Sequence, residues 1–333
     1  MKDIYLVTGA AGHLGNTIIR KLLEREENIR ALILPGEEMP VSGKFEVFYG
    51  DVRDIDSLRP FMDVETGVNV NLIHCAGIVS IASKYQQKVY ETNVLGTMNM
   101  VELAIEKKVA KFIYVSSVHA ITEKPKGEMM EEICDFNPDL VVGAYAKTKA
   151  EATKFVLDSV GRGLNAIVVH PSGICGPYDY GRGHSTTLIM DYYNRRLTSA
   201  AGGGYDFVDV RDVAEGILAS CQKGRIGECY ILSNKYVTAL ELLRLLHEIT
   251  GHKEIKRVLP LWFLTITAKM AEVYYRILRQ APLFTAYSIY TLNSNAKFSH
   301  EKAARELGYS TRELKETLSD TVDWLISQGR IKG

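Results

Sequence analysis

Thr8-Gly9-Ala10-Ala11-Gly12-His13-Leu14-Gly15 decides the fold. It follows an apolar run, Ile4–Val7, and opens a segment in which Leu14, Ile18, Ile19, Leu22 and Leu23 fall on one helical stripe. Glycines at 9, 12 and 15 allow a tight turn and a close backbone approach. The free N–H groups and positive dipole end of the helix then suit a pyrophosphate. The spacing is GxxGxxG, not GxGxxG, and a bare glycine triplet also describes an ordinary strand-to-helix turn. Its place after the first strand makes it a dinucleotide loop.

Outward from this loop, strands are predicted at Arg30–Leu34, Phe45–Tyr49, Leu72–Cys75, Phe112–Ser116 and Ala166–His170. Several are continuously apolar, as strands covered on both faces are. Helices are predicted near 14–25, 89–107 and 144–160. Such alternation gives an α/β fold, a doubly wound parallel sheet of Rossmann type. The division expected is 1–175 for nucleotide binding and 176–333 for a smaller substrate-binding lobe, with 207–232 returning to the Rossmann sheet. Helices near 238–250, 261–280 and 313–328 complete that lobe.

Composition narrows the function. The chain has 333 residues, 46% hydrophobic and 24% charged, with 40 basic residues against 40 acidic. That balance argues against nucleic acid or an anionic membrane as the main partner. The opening Met1-Lys2-Asp3 has no signal-peptide layout. The most apolar stretch, 261–284, is interrupted by Lys269, Glu272, Arg276 and Arg279, so no integral span is expected. Cysteines 75, 134, 175, 221 and 229 show no metal-ligand spacing. They read as buried thiols of a reducing, cytoplasmic compartment, and no metal site is expected.

Other motifs sit at strand ends. Gly50-Asp51-Val52 places a carboxylate where an adenine amino group can donate to it. His74-Cys75-Ala76-Gly77 leaves room for a ribose and pyrophosphate. Tyr145-Ala146-Lys147-Thr148-Lys149 puts a phenol and an ammonium on one helix face. A phenol with a pKa near ~10 is a poor acid–base group at neutral pH, and an adjacent ammonium favours its phenolate. Ser117 ends the preceding strand, placed to hydrogen-bond the same substrate oxygen.

Together, TGAAGHLG, GDV, HCAG, the serine of YVSS, YAKTK and HPSGICGP resemble the extended short-chain dehydrogenase/reductases, the NAD-dependent epimerase/dehydratase superfamily. The dihydroflavonol-reductase and 3β-hydroxysteroid-dehydrogenase groups are nearest in look, through the tail at 302–309 and HPSGICGP. The resemblance implies Tyr145 as proton donor or acceptor. It implies Lys149 as its modulator and nicotinamide-ribose ligand, Ser117 as orienter of the substrate oxygen, and Asn93 as support from the neighbouring helix. It also implies NAD or NADP held by Gly9, Ala11, Gly12, His13, Leu14, Gly15, Asp51, Val52, Cys75, Ala76 and Gly77, with Pro171, Ser172 and Gly173 near the carboxamide. Leu34 stands where NADP-using relatives carry arginine, and Glu37 and Glu38 would repel a 2′-phosphate, so the balance favours NAD. A homodimer through the helices of Asn93 and Tyr145 is expected.

The function expected is an alcohol–ketone oxidoreductase acting on a bulky, weakly polar small molecule, with Trp262, Phe263, Phe284, Tyr287 and Tyr290 as candidate apolar surface; for at least half of them core packing is the expected role. Two alternatives stand beside it. One is a nucleotide-sugar epimerase or dehydratase with tightly held NAD, against which Val118-His119-Ala120 shows no acid–base pair. The other is a non-catalytic nucleotide sensor, which the intact Ser117, Tyr145 and Lys149 disfavour.

Overall fold

The computed structural model describes residues 2–82, 84–266 and 286–332. The strands are β1 (Lys2–Thr8), β2 (Asn28–Ile33), β3 (Glu46–Tyr49), β4 (Val68–His74), β5 (Lys111–Val115), β6 (Ala166–Pro171), β7 (Gly173–Cys175), β8 (Ala200–Ala201), β9 (Gly204–Asp209), β10 (Cys229–Leu232), β11 (Lys235–Thr238) and β12 (Val258–Leu259). A seven-stranded parallel sheet runs β10-β6-β5-β4-β1-β2-β3. Chain order reverses between β1 and β4. Their carboxyl ends therefore flank the crevice in which such sheets bind ligands.

Both faces of this sheet are covered, which is why its strands read as apolar runs. The helices are α1 (His13–Glu24), α2 (Ile55–Met62), α3 (Gln87–Tyr90), α4 (Gly96–Glu106), α5 (Ala144–Asp158), α6 (His184–Tyr193), α7 (Val210–Lys223) and α8 (Ala239–Thr250). Leu6, Leu72, Phe112 and Val168 face one way, onto Leu58, Met100 and Val156 of α2, α4 and α5. Their neighbours Val7, Ile73, Ile113 and Val169 face the other way, onto Ile18 and Leu22 of α1 and Val213 and Ile217 of α7. The period-2 alternation of the strand thus feeds two cores. A third core joins Ile189 and Tyr192 of α6, Leu242, Leu243 and Leu246 of α8, and Leu318, Val322 and Leu325 of the helix Leu314–Ser327.

Two departures from the sequence reading concern the site. The single helix expected over 89–107 is divided into α3, a π-helical turn at Glu91–Leu95, and α4. Asn93 lies in that turn, with its side chain bonded to the loop after β4. Turns of this kind are common at functional sites. Secondly, the segment 207–232 does not return to the large sheet as a whole. Its helix α7 packs beside α1, and β10 pairs with β6. However, β9 pairs with β7 and β11 in a separate three-stranded sheet. Gly173 makes this pairing possible, since a Cβ there would lie 2.8 Å from the Asp206 carbonyl oxygen and 2.9 Å from the Tyr205 ring.

The helix expected at 261–280 is described only over 261–266, and Phe284 lies outside the described residues. No helix among the described residues is long and apolar enough to cross a membrane. Cys134 is exposed, unlike the buried thiol the sequence suggests.

Candidate active site

The glycine loop is built by backbone approach. Gly9 has φ +65, and a Cβ on it would sit 2.8 Å from Ala76 Cα and 2.9 Å from Ala76 N. A Cβ on Gly15 would overlap the Gly9 carbonyl. Gly12 caps α1 without a side-chain hydrogen bond, and no acidic residue lies in the first turn. The first-turn N–H groups of α1 therefore have no side-chain cap, which leaves them to an anionic group. His13 and Leu14 start the helix. Burial holds the His13 imidazole below its ordinary pKa, and its Nε2 donates to the Pro177 carbonyl at 2.9 Å. Asn16 donates to the Tyr178 carbonyl at 3.1 Å, and Arg20 lies over the Tyr178 ring at 4.4 Å. These contacts strap the loop after β7 onto the nucleotide helix.

Behind the loop runs a buried polar chain. Ala76 N donates to Thr8 Oγ1 (3.1 Å), which donates to His74 Nδ1 (2.8 Å). His74 Nε2 bonds Thr97 Oγ1 (3.1 Å), which donates to the Asn93 carbonyl (2.7 Å). The arrangement requires the neutral Nε2–H tautomer. Burial, and then Lys149, depress the His74 pKa to about 3, which keeps the ring uncharged. The Asn93 side chain accepts from Ile78 N (2.8 Å) and donates to the Ile78 carbonyl (3.0 Å) and Thr148 Oγ1 (3.2 Å). One amide thereby fixes the loop carrying Cys75, Ala76 and Gly77 against α5. Cys75 is no nucleophile, since burial pushes its thiol up to about 12.

Ser117, Tyr145 and Lys149 come together at the end of β5. The Ser117 hydroxyl lies close enough to the Tyr145 phenol to favour its ionised form. It accepts from His119 N at 3.2 Å. Burial pushes the phenol up to about 12, while nearby Ser117 works in the opposite direction. Lys149 is buried. Its Nζ donates to the Val115 carbonyl at 2.8 Å and lies 4.9 Å over the Tyr114 ring. Burial draws this ammonium down to about 8. The helical spacing predicts that the ammonium sets the phenol's ionisation; here burial dominates, because the ammonium is directed at Val115 and Tyr114. Gly77 faces Lys149, its virtual Cβ 3.6 Å from Nζ.

Asp51 and Leu34 lie just past the carboxyl ends of β3 and β2. Both Asp51 carboxylate oxygens accept from Arg53, at 2.6–3.1 Å, and this holds the carboxyl below its usual range. The Val52 carbonyl accepts from Asn99 at 2.9 Å. Leu34 is 43% exposed, and its N–H donates to Glu37 at 3.1 Å. Arg53 is shared between Asp51 and Glu91, and the Lys88 charge also acts on Asp51. Pro171 and Ser172 are buried, and Ser172 donates to Asp206, whose second oxygen is buried without a partner.

Sequence reasoning missed Asp206, Tyr205 and the grouping of His119 with Tyr287. Tyr205 and His119 share a 2.9 Å hydrogen bond and stack at 5.7 Å, and His119 meets Tyr145 edge-on at 6.0 Å. No spacing signal joins positions this far apart in the chain.

The family model for the NAD dependent epimerase/dehydratase family matches residues 5–233. The chain belongs to that family. It is 32% identical to sterol demethylase protein B of Methylococcus capsulatus over 332 residues, 98% of this chain and 99% of that protein. It is 28% identical to a putative dihydroflavonol 4-reductase of a Synechocystis strain, covering 100% of this chain and 97% of that protein. The crystal structure of gox2253 superposes with a TM-score of 0.86 at 31% identity, covering 99% of this chain and 100% of that one. The chain is thus an NAD-dependent enzyme of the extended short-chain dehydrogenase/reductase type, and the uncapped α1 terminus and glycine loop fit that cofactor.

Proposed function

We propose that this enzyme interconverts a secondary alcohol and a ketone on a bulky, weakly polar molecule, with a cofactor that exchanges at each turnover. One observation carries the reading: among its described lining residues, the pocket beside the Ser117–Tyr145 pair joins apolar side chains to uncharged polar ones and holds no lysine or arginine. Val118, Ile121, Met130, Val141 and Phe298 are among its described lining residues. Its carboxylate, Glu123, is taken by Tyr290 (2.6 Å) and Asn295 N (2.6 Å). The charged diphosphate of a nucleotide sugar finds no cation among these described residues, since burial keeps His119 uncharged at neutral pH. The likeness to a sterol demethylase protein and to a putative dihydroflavonol reductase supports the same substrate character.

When bound, the nicotinamide supplies or takes up the hydride. Ser117 holds the reacting oxygen. Tyr145, its phenol protonated at neutral pH, gives that oxygen its proton, which suits the reducing direction. Lys149, which faces Gly77, would hold the nicotinamide ribose, and Asn93 keeps the Ala76–Gly77 loop and α5 in register. Asp51, Val52, Pro171, Ser172 and Gly173 line the remainder of the cofactor site. The homodimer expected through the helices of Asn93 and Tyr145 belongs to this proposal, as does cytoplasmic residence.

The test is to denature fresh protein and weigh any released nucleotide, then titrate empty protein with NADH and NADPH and assay bulky cyclic ketones. The proposal expects little retained nucleotide, tighter NADH binding and ketone-dependent NADH oxidation. Equimolar retained NAD with epimerisation of a UDP-hexose contradicts it. Binding of neither dinucleotide removes the catalytic reading.

A further inference from the structure

Directly behind the pocket wall formed by His119, Tyr205 and Tyr290 lies hydrogen-bonding capacity that one reacting oxygen does not use. Tyr287 is 7% exposed, and its hydroxyl is buried with no hydrogen-bond partner. Its ring is pressed onto the N-terminus of the helix that carries Tyr145. Gly143, with φ +102, leaves room for it: a Cβ there would fall 2.6 Å from the Tyr287 Cζ. Tyr290 braces the other side, nearly parallel at 6.3 Å. The Tyr287 ring lies 6.2 Å from the His119 ring, which is itself 6.0 Å from Tyr145 and 5.7 Å from Tyr205. The Tyr145, Tyr205 and Tyr287 phenols are close enough to perturb one another's ionisation.

A buried hydroxyl without a partner costs stability, so its retention beside the reacting centre points to a partner that arrives with the substrate. Resting on the oxidoreductase reading above, we propose that Tyr287, with the His119–Tyr205 pair, recognises a second oxygen of the substrate, on a carbon within one or two bonds of the reacting one. The rings cluster around one imidazole at about the distances just given, so the two oxygens share one end of the molecule. The second oxygen is uncharged. His119 is held to about 4 by burial, and burial raises both Tyr205 and Tyr287, so the cluster carries no charge at neutral pH and offers no counter-ion to a carboxylate or phosphate. The substrate class is therefore a hydroxylated or doubly oxygenated ketone on an apolar skeleton.

The test compares kcat/KM for three bicyclic ketones: the monoketone and the same skeleton with a hydroxyl on the adjacent or the next carbon. Wild-type enzyme is expected to prefer one hydroxylated ketone by about tenfold or more, one well-made hydrogen bond. Tyr287→Phe is expected to bring that ratio to about one, and Tyr205→Phe to reduce it by releasing His119. Tyr287→Phe also removes an unsatisfied group, so the free protein should melt about 1–3 °C higher. A wild-type ratio near one, a ratio that survives in Tyr287→Phe, or a variant melting several degrees lower overturns this inference and leaves the oxidoreductase reading intact. Failure of wild type to reduce any of the three ketones refutes that reading instead, and this inference with it.

Discussion

Asp206 offers a test of how the site is held together. Its carboxylate accepts from the Ser172 hydroxyl and, at 3.0 Å, from Asn234 N through one oxygen, while the other oxygen is buried without a partner. Burial raises its pKa from 3.8 to about 6. A folded pKa above the unfolded one means that the fold prefers the protonated acid. That preference is fully present below about pH 4 and is lost as pH rises through about 6. A shift of about 2 units corresponds to roughly 3 kcal/mol in full, of which about 1.4 kcal/mol falls between pH 5 and pH 8. Asp206→Asn keeps an acceptor for Ser172 and Asn234 and carries no charge. Urea unfolding at both pH values should show the variant more stable than wild type at pH 8. The wild-type minus variant difference should change by about 1.4 kcal/mol between the two pH values. An unchanged difference, or a variant less stable at pH 8 by the same amount as at pH 5, refutes the assignment of a strained carboxylate behind Ser172.

Other perturbations read the same architecture. Gly9→Ala places a Cβ against Ala76 backbone in a left-handed conformation. It should cost about 2–4 kcal/mol in chemical denaturation and weaken NADH binding in titration; a loss below about 1 kcal/mol would mean that the loop yields. Asn93→Ala frees Ile78 and Thr148 from three hydrogen bonds, so stability should fall by about 2–4 kcal/mol and kcat/KM with it. Leu34→Arg should raise NADPH affinity relative to NADH by a factor of ten or more, a cation worth at least ~1.4 kcal/mol against the 2′-phosphate. Equal binding of both nucleotides by the variant would show that Leu34 does not border the ribose.

The parallel sheet was legible because its strands are apolar on both faces and the glycine loop marks the first crossover. The pairing of β9 was not. Phe207 and Val208 read as strand, but the choice of sheet follows from the absent Cβ of Gly173 and the close approach of Asp206, which no periodicity encodes. Likewise a continuous stripe over 89–107 hides the π turn, since the turn exists so that the Asn93 side chain reaches Ile78. Ser117, Tyr145 and Lys149 were legible from spacing, but the direction of the Lys149 ammonium was not. It is drawn to Val115 and Tyr114, which the strand register alone brings near. His119, Tyr205 and Tyr287 come from three distant stretches and meet only through tertiary packing. Asp206 was hidden within a strand, where a carboxylate usually signals solvent.

The central claim is that the Tyr145 phenol moves the proton at the substrate oxygen. The most direct measurement is kcat and NADH affinity of Tyr145→Phe on a ketone that the wild-type enzyme reduces. The account predicts a kcat lower by a factor of about 10²–10⁴ with NADH affinity little changed. Turnover equal to wild type would contradict it.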